Sequence, residues 1–110
     1  DQILIDRGDL SREVNIEKIP FVQRKIIQIA NHEKIPVFVA TNLLESMIKS
    51  NTPNRAEVND VISTLQMGAD GLVLAAETAI GKYPVDAVKM IKSLIEEFKS
   101  SDQETILNNL

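Results

Sequence analysis

Val37-Phe38-Val39-Ala40 is a four-residue apolar run closed on its carboxyl side by the polar pair Thr41-Asn42 and preceded by Pro36. So short a run, rich in β-branched and aromatic residues, reads as a strand buried on both faces, as strands of parallel sheets are. Two further runs of the same kind lie on either side of it: Ile3-Leu4-Ile5 towards the amino end and Gly71-Leu72-Val73-Leu74-Ala75 towards the carboxyl end. They recur at intervals of about 35 residues, the length of a βα unit.

Helical patterns fill the intervals. Val22, Ile26, Ile29 and Ala30 form an apolar stripe at three-to-four spacing, with Pro20 near its start, where its missing N–H costs nothing. Pro36 blocks continuation and admits the second strand. Leu43–Ile48 reads as a short helix that ends at Ser50–Asn54. Ala56–Gln66 reads as another, with Val58, Val61, Ile62 and Leu65 inward and Gly68 as its stop. Pro84 opens a long last helix whose expected inner face is Val88, Ile91, Ile95 and Phe98. Met47, Met67 and Met90 are expected in packing positions, and His32, the single histidine, in solvent near a helix end.

The order β-α-β-α-α-β-α predicts an α/β fold of parallel strands. Two architectures satisfy it: part of a TIM (β/α)8 barrel, or a small open doubly wound sheet. Both place function in the loops at the carboxyl ends of the strands. Residues 1–99 are expected to form the βα units and 100–110 a polar tail or linker. Three units leave two open sheet edges and an uncovered face, where Leu4, Val39 and Val73 are expected to need cover. An oligomer, or the missing half of a barrel, is therefore the expected partner.

Composition narrows the chemistry. A chain of 110 residues is one domain at most. Its net charge of −4 speaks against nucleic acid or an anionic membrane as partner. The absence of cysteine excludes disulfides, thiolate metal sites and cysteine nucleophiles. No apolar run approaches a membrane span of about 20 residues, and the amino end has no signal-peptide pattern. A cytoplasmic protein is the expectation, with sequence upstream of a chain that starts directly on a strand.

Each expected strand ends in polar residues: Asp6-Arg7-Gly8-Asp9-Leu10 after the first, Thr41-Asn42 and Glu45 after the second, Glu77-Thr78 and Gly81-Lys82 after the third. A site at a sheet mouth requires such clusters, although turns and helix caps use the same residue types. Arg7-Gly8-Asp9 is also the tripeptide of integrin ligands, a coincidence in an α/β chain of this kind.

Arg7-Gly8-Asp9-Leu10, Ala40-Thr41-Asn42-Leu43-Leu44-Glu45-Ser46-Met47-Ile48, Arg55-Ala56-Glu57-Val58 and Gly81-Lys82-Tyr83-Pro84 together resemble pyruvate kinase, in that family's order and spacing. The resemblance implies the sixth, seventh and eighth βα units of the catalytic barrel. It implies the transfer of a phosphoryl group from phosphoenolpyruvate to ADP, giving pyruvate and ATP, with Mg2+ and a monovalent cation. Asp9 matches a metal ligand whose glutamate partner stands on the preceding strand, and Mg2+ suits carboxylate oxygen. The amides at Gly8 and Asp9 would hold the substrate carboxylate at a helix start, with Gly8 leaving room for its approach. Thr41 matches a catalytic threonine beside the reacting carbon, able to hydrogen-bond substrate or position water. By its residue type it could equally be a helix N-cap paired with Glu45. Arg55 and Glu57 match a segment of loop structure and subunit contact.

The family's catalytic lysine, its phosphate-binding arginines and its K+ site match nothing in this chain, so catalysis by the chain alone is not expected. Departures from the family pattern are Asp6 for a small apolar residue, Ser11 for glycine, Asn42 for glutamine, Ala75-Ala76 for serine–glycine and Ile80 for lysine. A third acid at Asp6 would alter metal binding or point away. Together the departures suggest a divergent member of the family, and Ile80 and Ala75-Ala76 support an alternative: a non-catalytic module that serves assembly or binds a carboxylate ligand.

Overall fold

In the computed structural model, which describes residues 1–101, strands β1 (Ile3–Asp6), β2 (Val37–Ala40) and β3 (Gly71–Val73) lie side by side in that order, all parallel. The register pairs Ile5 with Val39 and Val39 with Leu72, and the next row joins Asp6, Ala40 and Val73. Their carboxyl ends therefore meet at one edge, as the α/β reading requires.

The helices are α1 (Arg7–Glu13), α2 (Ile19–His32), α3 (Arg55–Gln66), α4 (Ala76–Ala79) and α5 (Pro84–Ser100), with 3-10 turns at Ile16–Lys18 and Glu45–Ile48. Pro20 and Pro84 sit in the first turns of α2 and α5, where no intrahelical donor is lost. Asn54 starts α3 with a capping box: its side chain accepts from the Glu57 amide, and the Glu57 carboxylate accepts from the Asn54 amide. The polar stretch expected at 100–110 belongs to α5 at Ser100, and its residues 102–110 lie outside the described residues.

Several expectations change. The central strand β2 is buried apart from the half-buried Phe38, as expected, whereas the sheet face opposite α2 is open at Leu4 and Val73. Ile5, Val37 and Val39 bury themselves with Ile27 and Ala30 of α2, whereas Leu4 on the opposite face is 60% exposed. Val39 thus packs against the helix layer and not in the uncovered face, because side chains alternate along a strand and Phe38 takes the other side. The Phe38 ring lies over Gly71 so closely that a Cβ there would stand 2.5 Å from it.

The helical stripes hold in part, with Ala30 and Ile91 buried and Ile26, Ile95 and Phe98 packed against the core. In α2 the buried residues are Gln23, Ile27 and Ala30, and Ile29 is exposed. In α5 they are Ala87, Ile91 and Leu94, and Val88 is exposed. Leu43–Ile48 is not a regular helix: its last four residues form a 3-10 turn that buries Met47, with Leu43 and Leu44 buried just before it. These residues join Val61, Leu65, Ala87, Ile91 and Leu94 in the second core cluster. The inward set expected for α3 holds, with Val61 and Leu65 buried and Val58 and Ile62 partly so. Met67 and Met90 are partly buried, and His32 is exposed at the end of α2.

Candidate active site at the carboxyl ends of the strands

The first cluster is organised around one oxygen atom. Asp6 ends β1 with extended backbone (φ −93°, ψ 106°) and serves as the N-cap of α1. Its Oδ1 accepts from the Gly8 amide at 2.9 Å, the Asp9 amide at 3.2 Å and the Thr41 hydroxyl at 3.3 Å. The Gly8 amide also donates to Thr41 Oγ1 at 2.8 Å, so two loops from neighbouring strands share one small network. A Cβ on Gly8 would meet Asp6 Oδ1 at 3.2 Å and Thr41 Oγ1 at 3.6 Å. The room expected above Gly8 is occupied by the chain's own side chains. Asp6 neither points away nor joins a metal cluster; it caps the helix. Ser11, in place of the expected glycine, fits inside α1 and donates to the Gly8 carbonyl at 2.7 Å.

Thr41 has φ +72° and Asn42 φ +57°. Asparagine accepts the left-handed region readily, but a β-branched threonine there is an outlier. Such strain costs on the order of 1–3 kcal/mol and persists only where the surroundings impose it. The surroundings here are Arg7, which donates through Nε and Nη2 to the Thr41 carbonyl at 3.1 and 2.9 Å. Its Nη1 donates to Asp60 of α3 at 2.8 Å. Charge-assisted hydrogen bonds contribute about 1.5–3 kcal/mol, enough to offset the strain. Thr41 is therefore not the N-cap of a helix paired with Glu45. Its hydroxyl belongs to the Gly8–Asp6 network, Glu45 is exposed, and the turn at Glu45–Ile48 has no side-chain cap. Arg7, anchored with its side chain only 13% exposed, is no presented integrin-type tripeptide.

The third cluster is joined to the second through Glu77, which is 2% exposed. Its Oε2 accepts from the Leu44 amide at 2.9 Å and its Oε1 from the Ala75 amide at 3.0 Å. Glu77, Thr41, Asn42, Glu45 and Ala75 border a cleft of about 140 Å³. Ile80, which departs from the lysine of the family pattern, is 76% exposed. Behind this edge Glu57 accepts from both the amide and the hydroxyl of Ser46 as well as from the Asn54 amide. Burial raises the Glu57 carboxyl, but these hydrogen bonds outweigh it and hold the pKa below the ordinary glutamate value.

Gly8, Asp9 and Thr41, singled out from the sequence, thus lie together at one edge. The Asp9 carboxylate is different: its side chain is 73% exposed and 3.7 Å from Arg12. Among the described residues no group of three or more His, Asp or Glu side chains could hold a metal ion. Mg2+ commonly takes one or two protein carboxylates with water and substrate oxygens. A lone exposed carboxylate such as Asp9 can fill one such position. Sequence reasoning missed Arg7, Asp60 and Glu77 as organisers. The adjacency of Arg7 to Gly8-Asp9 was the only signal for the first, and nothing in the sequence links Glu77 to Leu44.

Parallel βα units with polar residues gathered at the carboxyl edge are the arrangement of (β/α)8-barrel enzymes. Comparison with known proteins makes the class definite. Residues 1–88 match a family model described as pyruvate kinase, barrel domain. The chain is 46% identical over 97 residues to a pyruvate kinase of Thermotoga maritima, covering 88% of this chain and 21% of that one. It is 44% identical over 95 residues to the Mycobacterium tuberculosis pyruvate kinase, covering 86% and 20%. A crystal structure of a pyruvate kinase from Cryptosporidium parvum superposes with a TM-score of 0.90 at 40% identity, over 97% of this chain and 22% of that one. The chain belongs to the pyruvate kinase family. It spans about a fifth of the length of these relatives.

Proposed function

We propose that the chain supplies part of a pyruvate kinase active site, the part that holds the carboxylate of phosphoenolpyruvate or pyruvate while phosphate passes to ADP. Phosphoryl transfer of this kind rests on positioning and charge neutralisation. In this reading the Gly8 and Asp9 amides and the Thr41 hydroxyl bind the substrate carboxylate. Thr41 lies beside the reacting carbon, and Asp9 gives Mg2+ one ligand. No residue of the chain is assigned to the K+ of the family. The observation that carries the reading is that these three donors already converge on a carboxylate oxygen, that of Asp6. A cradle that grips an internal carboxylate has the geometry to grip an external one.

Titration of the purified chain with oxalate in the presence of Mg2+ tests this. Binding that is lost in Asp9→Ala is the expected result, and no binding by the wild-type chain or any cradle variant refutes it. Turnover is proposed to require residues beyond these units, so a coupled pyruvate-formation assay on the chain alone is expected to give none. Robust turnover would refute that part.

The alternative, a non-catalytic module for assembly or carboxylate binding, draws on the exposed Ile80 and on the uncovered face with Leu4 and Val73, 60% and 40% exposed. Cover from further barrel units or from a second copy is proposed for that face, and a well-behaved monomer in light scattering counts against it. The reading involves neither nucleic acid nor membrane. No described helix is long and apolar enough to cross a membrane. The cytoplasm is proposed as the compartment, although relatives from Ricinus communis and Nicotiana tabacum are named as chloroplastic isozymes.

A further inference from the structure

We infer that Asp6 is a built-in competitor for the ligand's carboxylate, a residue that sets the affinity and selectivity of the cradle by occupying it. The inference rests on the reading that Gly8, Asp9 and Thr41 bind a carboxylate. All three of their donors are already engaged by Asp6 Oδ1, at 2.9, 3.2 and 3.3 Å. That oxygen also fills the space over the Gly8 Cα, where an added carbon would approach it to 3.2 Å.

A ligand carboxylate cannot share this position. Each amide has a single hydrogen to offer, and that of Gly8 is already divided between Asp6 and Thr41. Two carboxylates a few ångströms apart also repel. Arg12 reaches Asp9 only at 3.7 Å from an exposed position, and Arg7, next to Asp6 in the chain, is no remedy. All three of the Arg7 nitrogens that could neutralise the pair are directed to the Thr41 carbonyl and to Asp60. Asp6 must therefore swing out before the ligand carboxylate enters. The cost of that movement falls on carboxylate ligands, and on monocarboxylates most of all, because they bring no second anionic group to be held elsewhere.

Capping and competition are separable. Asparagine caps a helix as well as aspartate does, whereas alanine does not. Asp6→Asn keeps the fold and removes the charge; Asp6→Ala removes the charge and the occupant. The experiment is an oxalate titration, with Mg2+ present, of the wild-type chain, Asp6→Asn and Asp6→Ala. It is followed by calorimetry and by the amide resonances of Gly8 and Asp9, with urea unfolding of each protein.

The expected result is tighter oxalate binding in Asp6→Asn by about fivefold or more, the factor for removing one unit charge about 4 Å from another in water. The urea midpoint should not change, and Asp6→Ala should bind tighter still. Equal or weaker oxalate binding in both variants, with wild-type binding intact, overturns the competition and leaves the carboxylate-binding reading standing. No binding in any of the three overturns both. Binding in the variants alone supports both and makes Asp6 a complete block in the wild-type chain.

Discussion

Arg7 directs two of its guanidinium nitrogens, at 3.1 and 2.9 Å, to the carbonyl of Thr41, a threonine held at φ +72°. The first residue of α1 thereby fixes the backbone just after the second strand, and through Asp60 it ties both to α3. The threonine hydroxyl is aimed at Gly8 and Asp6 as a result. Arg7→Lys is expected to lose stability by about 2 kcal/mol, since one ammonium cannot reproduce a planar fork that serves a carbonyl and a carboxylate at once. Urea unfolding checks this, and the Thr41 and Gly8 amide resonances should move with it.

Glu77 joins the second and third loops from a nearly fully buried position. Removing its carboxylate leaves the Leu44 and Ala75 amides without partners and opens a cavity beside Leu44. Glu77→Ala is expected to destabilise by about 2–4 kcal/mol. Glu77→Gln should cost less, because one of its two acceptor positions survives. Thermal unfolding of both variants distinguishes the outcomes, and a change within about 0.5 kcal/mol in Glu77→Ala would contradict the bracing role.

Glu57 makes stability depend on pH. Its folded pKa lies below the ordinary value of 4.5, so the unfolded chain binds its proton more tightly. The contribution is complete above that ordinary value and is lost as pH falls through the lower folded one. Wild type should therefore lose stability more steeply than Glu57→Gln as the pH falls below the ordinary value of 4.5. Urea midpoints across that fall in pH read the difference, and parallel curves would remove Glu57 as the cause.

Gly81 is required by space. A Cβ there would stand 2.5 Å from the Glu77 carbonyl oxygen and 3.3 Å from the Ile48 Cα, both backbone atoms that cannot rotate away. The adjacent Lys82 amide donates to the Ile48 carbonyl at 2.9 Å and fixes the turn. Gly81→Ala is expected to destabilise by about 1–3 kcal/mol, the usual range for overpacking, as measured by chemical unfolding. Gly8→Ala, at 3.2 Å from a side-chain oxygen that can move, should cost less.

The three strands, their parallel sense and the edge at which their carboxyl ends meet were legible in Ile3–Ile5, Val37–Ala40 and Gly71–Ala75, although the third strand itself ends at Val73, because buried strands need apolar runs and βα units fix their spacing. The capped start of α3 was half legible, since Glu57 was expected in a structural role without Asn54 as its partner. The inner faces of α2 and α5 were legible in part, in Ile26, Ala30, Ile91, Ile95 and Phe98, whereas burial of Gln23 and Ala87 depends on what faces them and not on their own hydrophobicity. Asp6 was visible as a departure, but its partners were not: Gly8 and Asp9 are neighbours in the chain, whereas Thr41 is reached only through the register of β1 against β2.

By itself the sequence determined the class of fold, the family pattern and the residue types at the strand ends. These follow from local periodicity and from short motifs that need no knowledge of contacts. Tertiary structure alone decided that Arg7 clamps Thr41 in a left-handed conformation, that Glu77 links two loops, and that Asp6 fills the cradle. Hydrogen bonds act over a few ångströms, and only the pairing of the parallel strands brings residues more than thirty positions apart within that reach.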